Sequence, residues 1–253
     1  MAANRRRHSR RRRRGRFSGL YRFFAVLAVI AAVVAACVIF FRINEVSVSG
    51  HVRYTAQEIV EASGIMKGDN LVALPKGQIA STIRTRLPYI ESVSLRRQLP
   101  DTVAITVRER VAVASVDSAD GRWLISSKGK LLEQAADHPV VPVEGLTAKA
   151  PYAGNNLEVP EEQSNSLDHV LALLDALEQA EMLDRCGTLD CTHSTYITLA
   201  WDIYTIKFPR GGDYPYMLRL VGMALAHEDM PQMQPGTFDL TVEDNAVHFK
   251  PER

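Results

Sequence analysis

The chain has 253 residues, with 30 Lys+Arg against 29 Asp+Glu and a formal net charge of +1. Residues 1–42 carry 11 arginines and no acid, which leaves 19 basic side chains against all 29 acids in residues 43–253. This excludes a uniformly basic nucleic-acid-binding domain. An apolar content of 46% excludes a wholly disordered chain, and 3 cysteines exclude a disulfide scaffold, so folded parts must rest on a hydrophobic core.

The basic arm, residues 1–22, has nothing to bury and its like charges repel, so it is expected to be disordered. The stretch 23–41, FFAVLAVIAAVVAACVIFF, follows, 19 residues without a charge, Gly or Pro. As a helix it would extend about 28 Å at roughly 1.5 Å per residue, close to a hydrocarbon core of about 30 Å. It is apolar all round, the pattern of a membrane span and not of a helix with one core-facing stripe. Arginines stay on the cytoplasmic side of a span, which places the N-terminus inside and the rest of the chain outside. The arm then orients the span and attracts anionic membrane lipid; nucleic-acid binding is its competing reading. Val34-Ala35-Ala36-Cys37 looks like a lipoprotein cleavage box. Cys37 lies inside the apolar run, however, and the run exceeds the roughly 7–15 apolar residues of a cleavable signal peptide.

Residues 43–110 form a first exterior module. INEVSVSG (43–50) alternates apolar and polar positions like a half-buried strand. Thr55 with Glu58 is a capping-box signature, opening a short helix that ends at Gly64. Residues 76–87 place Ile79, Ile83 and Leu87 on one helical face, and Pro88 closes it. Val93 and Leu95, then Val103, Ile105 and Val107, alternate as two further strands around a turn at Leu99-Pro100-Asp101. The order is β-α-α-β-β, two helices against one face of a three-stranded sheet. His51 follows a turn Gly and is expected in a solvated loop.

Residues 111–253 form a second module. Residues 111–116 read as a strand entering a new sheet. Asp120-Gly121 is a hairpin signal, and residues 122–126 and 130–133 flank a second turn at Ser127-Lys128-Gly129. Residues 140–143 read as an edge strand, because Pro142 is tolerated only at an edge. Residues 147–160 read as a surface loop. The strongest exterior helix is expected over 164–184. Residues 196–199 and 204–208 pair across a turn near Asp202. A helix follows over 215–227, with Pro215 in its first turn. Residues 237–242 and 247–250 form a last hairpin across Asp244-Asn245. Trp123 and Trp201 are expected in the core or on strands.

The order Val46-Ser-Val-Ser-Gly50, Gly68-Asp-Asn-Leu71, Pro88-Tyr-Ile-Glu-Ser-Val93, Arg96-Arg-Gln-Leu-Pro100-Asp-Thr-Val-Ala-Ile105 and Val107-Arg-Glu-Arg110 resembles the FtsQ-type POTRA domain. The plan of basic tail, single span, POTRA and β-rich domain is similar to the FtsQ/DivIB family of bacterial cell-division proteins. The expected fold class is therefore α+β: a cytoplasmic tail at 1–22, a transmembrane helix at 23–41, a POTRA domain at 43–110 and a mixed β-rich extracytoplasmic domain with two helices at 111–253. One departure is visible. The family often has Pro two residues after the Glu-Arg pair, and here Ala112 stands there, leaving the geometry between the domains open.

The motifs of catalysis are not among these residues: there is no HExxH, no phosphate-binding Gly-rich loop and no defensible carboxylate pair. Cys186 and Cys191 are expected to close a small disulfide loop outside the membrane. Joining them with His193 in a metal site is the weaker reading, because a fourth ligand is not at hand. His193, Ser194 and Asp190 do not make a triad from spacing alone. His227-Glu228-Asp229 reads as a helix end where His meets the negative dipole. No cofactor, metal, nucleic acid or small-molecule substrate is expected. The resemblance implies a noncatalytic scaffold at the division septum that binds bitopic partners of the FtsB/DivIC and FtsL type and helps control septal peptidoglycan synthesis. A short terminal strand could add a partner strand through its main chain. The candidate edge is Thr237, Phe238, Asp239, Leu240, Thr241 and Val242 with Val247, His248, Phe249 and Lys250, where Phe238 and Phe249 are either anchors or core. The rival readings are a membrane-anchored POTRA protein of another envelope process and a cell-wall hydrolase.

Overall fold

The computed structural model describes residues 18–135, 138–226, 234–242 and 247–252. Residues 1–17 of the basic arm, the His227-Glu228-Asp229 helix end and the Asp244-Asn245 turn lie outside the described residues. The first helix, α1 (Ser18–Phe40), contains the stretch Gly19–Ala36, long and apolar enough to cross a membrane and unburied by the rest of the protein.

No free linker separates α1 from the first module. Phe41 packs against that module's core, and its carbonyl accepts from the Leu71 N–H at 2.8 Å. Ile43 is fully buried, donates its N–H to Asp69 O and accepts from the Gly68 N–H. The Gly68-Asp-Asn-Leu71 segment thus clasps the chain as it leaves α1.

The module then runs β1 (Glu45–Ser49), α2 (Ala56–Ser63), α3 (Lys76–Arg86), β2 (Ile90–Gln98) and β3 (Thr102–Glu109). Its sheet order is β1-β3-β2, with β1 parallel and β2 antiparallel to β3. Thr55 and Glu58 exchange both hydrogen bonds of the capping box, and Gly64 ends α2 with φ 69°. Ile59, Ile79 and Ile83 from the helices meet Leu95, Val103, Ile105 and Val107 from the sheet. Gly50 follows β1 at φ 82°, with its α-carbon turned so that any Cβ would collide with the Val107 carbonyl oxygen. His51 is half-buried, and its Nδ1 is out of water without a hydrogen-bond partner, so the expected solvated position is corrected.

The second module contains β4 (Ala114–Ser118), β5 (Gly121–Ile125), β6 (Leu131–Gln134), β7 (Val141–Ala148), α4 (Ser164–Gln179), β8 (Cys186–Asp190), β9 (Tyr196–Trp201), β10 (Tyr204–Pro209), α5 (Tyr214–Leu225), β11 (Gly236–Asp239) and β12 (His248–Pro251). One 9-stranded sheet joins them in the order β12-β11-β10-β9-β8-β7-β4-β5-β6. The pairs β7–β8 and β10–β11 are parallel, so α4 and α5 are the crossovers that parallel neighbours require. Both helices contact each other and bury Val170, Leu174, Leu177, Leu218 and Val221 against the sheet. Helices and strands are largely segregated within each module, as the α+β class expects.

Four sequence expectations change. The strand expected from residue 111 begins at Ala114, because residues 111–113 are taken up by the junction between the modules. Residues 141–148 form an inner strand, not an edge. Pro142 is tolerated there because β8 pairs only with Val143 and Glu144, beyond the missing N–H. The helix expected to reach residue 184 stops at Gln179, and Glu181 turns the chain at φ 54°. Finally, β8 itself is a strand that the sequence pattern did not reveal.

Candidate functional site

The terminal hairpin sits at one end of the large sheet. Strand β11 lies between β10, to which it is parallel, and β12, to which it is antiparallel. Of the candidate residues, Thr237, Phe238 and Asp239 therefore belong to an inner strand whose two sides are both paired. Phe238 is fully buried and serves the core, with Tyr204 and Phe249 rings at 5.2 and 5.0 Å. Leu240 extends the contact by donating to Lys207 O, whereas Thr241 and Val242 lie past the strand end. The outer boundary is β12 alone.

Register settles which way β12 faces. Phe249 stands opposite Phe238 and Lys250 opposite Thr237. The Glu252 N–H donates to Pro235 O at 2.9 Å, inward. Antiparallel strands alternate, so the main-chain groups of Lys250 also point inward, while those of Phe249 and Pro251 point outward. Pro251 has no N–H to offer, so the exposed ladder ends there, a common way to blunt an edge. The Phe249 ring lies over Gly236, where an added Cβ would sit 2.6 Å from two of its carbons. Val247 packs half-buried against the core, and His248 stands opposite Asp239 in the register.

Asp239 is the buried carboxylate of this corner. It is 9% exposed and accepts from Thr241 Oγ1 at 2.6 Å, from the Thr241 N–H at 3.1 Å and from Lys250 Nζ at 3.4 Å. The Thr241 hydroxyl, helped by its N–H and by Lys250, outweighs burial and holds the carboxyl below its ordinary value. The apolar-Asp-apolar pattern seen in the sequence is thus a buried corner brace.

The two cysteines are not paired. Both are free thiols: Cys186 Sγ contacts Met182 O and Cys191 Sγ contacts Glu144 O. Cys186 opens β8 and Cys191 follows it, and the extended backbone between them spans roughly 15 Å, more than twice the ~7 Å limit for a bridge. The expected disulfide is therefore corrected. His193 stacks on Tyr196 at 3.7 Å and joins neither sulfur.

The junction between the modules is a second site, and sequence reasoning missed it. Tyr89, Leu124 and Leu132 are buried together, with Tyr54, Ala112 and Val140 packed around them. Glu133 accepts two bonds from Arg53 Nη2 at 2.8 and 2.9 Å and one from the Tyr89 hydroxyl at 2.7 Å. The Arg53 guanidinium also lies 4.1 Å from the centre of the Tyr89 ring. Burial first, and then the Glu133 carboxylate, push the Tyr89 phenol well above its ordinary value. Glu109 accepts the N–H groups of Arg53 and Tyr54, and Glu91 bridges Arg108 of β3 to Lys128 beyond β5. Ala112 takes part in this packing, which answers how the chain joins its modules without the family's Pro. In the sequence, the Ala112 departure pointed to this junction but not to Arg53, Tyr89 or Glu133.

Comparison with known proteins fits this architecture. Residues 41–110 match the model described as the POTRA domain, FtsQ-type. The chain is 32% identical over 105 residues to a cell division protein FtsQ of Corynebacterium glutamicum, covering 42% of this chain and 47% of that protein. It is 31% identical over 121 residues to a cell division protein DivIB of Clostridium acetobutylicum, covering 47% and 48%. A cell division protein FtsQ of Geobacter sp. is 26% identical over 219 residues, covering 81% and 75%. The match thus spans about half the length of the first two relatives and most of the third. The chain thus carries a stretch that matches the FtsQ-type POTRA domain and is similar to cell division proteins FtsQ and DivIB.

Proposed function

We propose, with that similarity as the premise, that the chain is a noncatalytic bitopic scaffold of the cell-division machinery. Its basic tail is cytoplasmic, α1 spans the membrane, and the POTRA (43–110) and β-rich (111–253) domains work outside it at the septum. Its partners are small bitopic division proteins of the FtsB/DivIC and FtsL type, and through them it helps control septal peptidoglycan synthesis.

The observation that carries this reading is the outward-facing main chain of β12. A partner strand added there would hydrogen-bond to Phe249, and Pro251 would set where the pairing stops. Of the sequence-derived edge of Thr237, Phe238, Asp239, Leu240, Thr241, Val242, Val247, His248, Phe249 and Lys250, we take Val247–Lys250 as the pairing strand, closed by Pro251, with the earlier residues as its support.

Phe249→Pro tests the mechanism. It removes an N–H that points away from β11, so the hairpin register survives, but a partner strand loses its central bond. Phe249→Leu keeps the N–H and removes the ring. Pull-down of the partner should be lost in F249P and largely retained in F249L. Equal capture by both variants and the parent would refute strand addition, and uniform membrane distribution of a fluorescent fusion in dividing cells would refute the division role.

A further inference from the structure

A cleft of about 290 Å³ lies where α3 of the POTRA domain meets the 152–155 loop of the large domain. The loop abuts α3: a Cβ on Gly154 would stand 3.7 Å from Thr85 O and 3.8 Å from Pro88 Cγ. Three cations line the cleft, Arg84 near the end of α3, Arg110 just after β3 and Lys130 just before β6. Among the described residues none of the three forms an ion pair. Arg84 Nε donates to Ala80 O at 3.3 Å, Arg110 Nη1 to Pro88 O at 3.2 Å and Lys130 Nζ to Asn156 Oδ1 at 3.3 Å, all neutral oxygens.

The carboxylate lining the cleft is Glu91, and it is already engaged. Arg108 holds it at 2.6 Å and Lys128 at 3.4 Å. Although burial pushes it up, those two cations keep it below its ordinary value. Burial lowers the pKa of Arg110, and Arg84 adds to this against an opposing pull from Glu91. Burial also lowers Lys130, with Arg110 and Arg84 adding to it. The cleft therefore concentrates positive charge: its lining carboxylate, Glu91, pulls on Arg110 but is paired with Arg108 and Lys128, in a partly dry setting where an anion gains most.

The rest of the lining narrows the ligand. Ser81 and Asn155 offer neutral hydrogen-bonding groups, and the Tyr152 ring, 69% exposed, offers a flat apolar face. Because β1 and β3 are parallel, with Glu45 beside Thr102, Arg110 lies at the end of β3 away from α1. That end is about 23 Å along the strand at ~3.3 Å per residue, which argues for a ligand in solution over a lipid headgroup.

We propose that this interdomain cleft binds the phosphate or carboxylate group of a sugar-sized ligand, with Arg84, Arg110 and Lys130 holding the oxyanion and Tyr152 the ring. Bridging cations from both domains, the ligand would also bind the POTRA domain to its neighbour.

The test is isothermal titration of the full chain in neutral detergent micelles with glucose 6-phosphate, glucuronate, glucose, inorganic phosphate and anionic-lipid vesicles. The expected result is saturable binding of the two sugar anions, weaker binding of inorganic phosphate and none of glucose. Lys130→Gln and the exposed Arg84→Gln should each weaken binding by about tenfold, as for loss of one charge-assisted hydrogen bond. Both variants should keep the parent's unfolding midpoint. Binding insensitive to both variants, equal binding of glucose, equal binding of inorganic phosphate, or binding of vesicles alone would overturn the assignment.

Discussion

Tyr89 stands in the turn just before β2 of the small sheet and Glu133 in β6 of the large one, and the Tyr89 hydroxyl reaches across the boundary to Glu133 Oε1 at 2.7 Å. With Arg53 bound to the same carboxylate, Glu133→Ala would leave both a buried phenol and a guanidinium without their acceptor. The expected loss is about 1–2 kcal/mol, discounted because Arg53 and Glu133 keep some contact with water. Urea denaturation measures it. Hydrogen exchange at residues 110–113 should rise as the junction loosens; unchanged exchange would show that the apolar cluster alone holds the domains.

Asp239 should make the terminal hairpin acid-sensitive. Its folded pKa is depressed below the ordinary 3.8. A depressed carboxyl contributes stability that is present above its unfolded value and is lost as pH falls through the folded one. The parent should lose stability on acidification through and below pH ~4, and Asp239→Asn should flatten that dependence while lowering stability at neutral pH. Parallel pH–stability curves for the two proteins would assign the acid response elsewhere.

Gly50→Ala should prevent the POTRA domain from folding normally. The residue sits at φ 82°, and a Cβ would run into the backbone carbonyl of Val107, which cannot move without breaking the β2–β3 ladder. Strain and collision together are expected to cost about 3 kcal/mol or more. Circular dichroism and the unfolding midpoint check this.

Gly236→Ala should act further out. The new methyl would displace the Phe249 ring from its seat against Tyr204 and Phe238. A loss of about 1–3 kcal/mol is expected, concentrated in β12, so exchange of the inward-facing His248 and Lys250 amides should rise while that of β9 stays slow.

The cysteines provide a chemical check. Burial pushes Cys186 up to about 12 and Cys191 up to about 11. Iodoacetamide at pH ~8 should therefore leave both nearly unlabelled in the folded protein and label both after unfolding without reductant. Resistance to labelling in the unfolded protein would mean that the thiols had joined.

The POTRA domain was legible because its local signals are strong and agree. Thr55, Glu58 and Gly64 bracket α2, and alternating Val103, Ile105 and Val107 mark a strand with one wet face. The large domain was legible in its hairpins and helices but not in its strand order. Pro142 argued for an edge, yet local pairing geometry lets it sit inside a sheet. The β8 segment, Cys-Gly-Thr-Leu-Asp, has only Leu189 fully buried and no alternation to read. The proposed edge was placed on a hairpin, but which of that hairpin's strands lies outside depends on β11 running parallel to β10, a long-range pairing that no local pattern encodes. The junction was hidden for the same reason: Arg53, Tyr89 and Glu133 are far apart in the chain.

The clasp of Phe41 and Ile43 by the turn at 68–71 has a mechanical consequence. With α1 in a bilayer, rolling that helix about its axis would swing everything beyond it, since no slack chain absorbs the twist. The terminal strand would then sweep an arc at nearly constant height above the lipid, so partners would be selected by where their own stalks hold them and could not be fished for at varying distance.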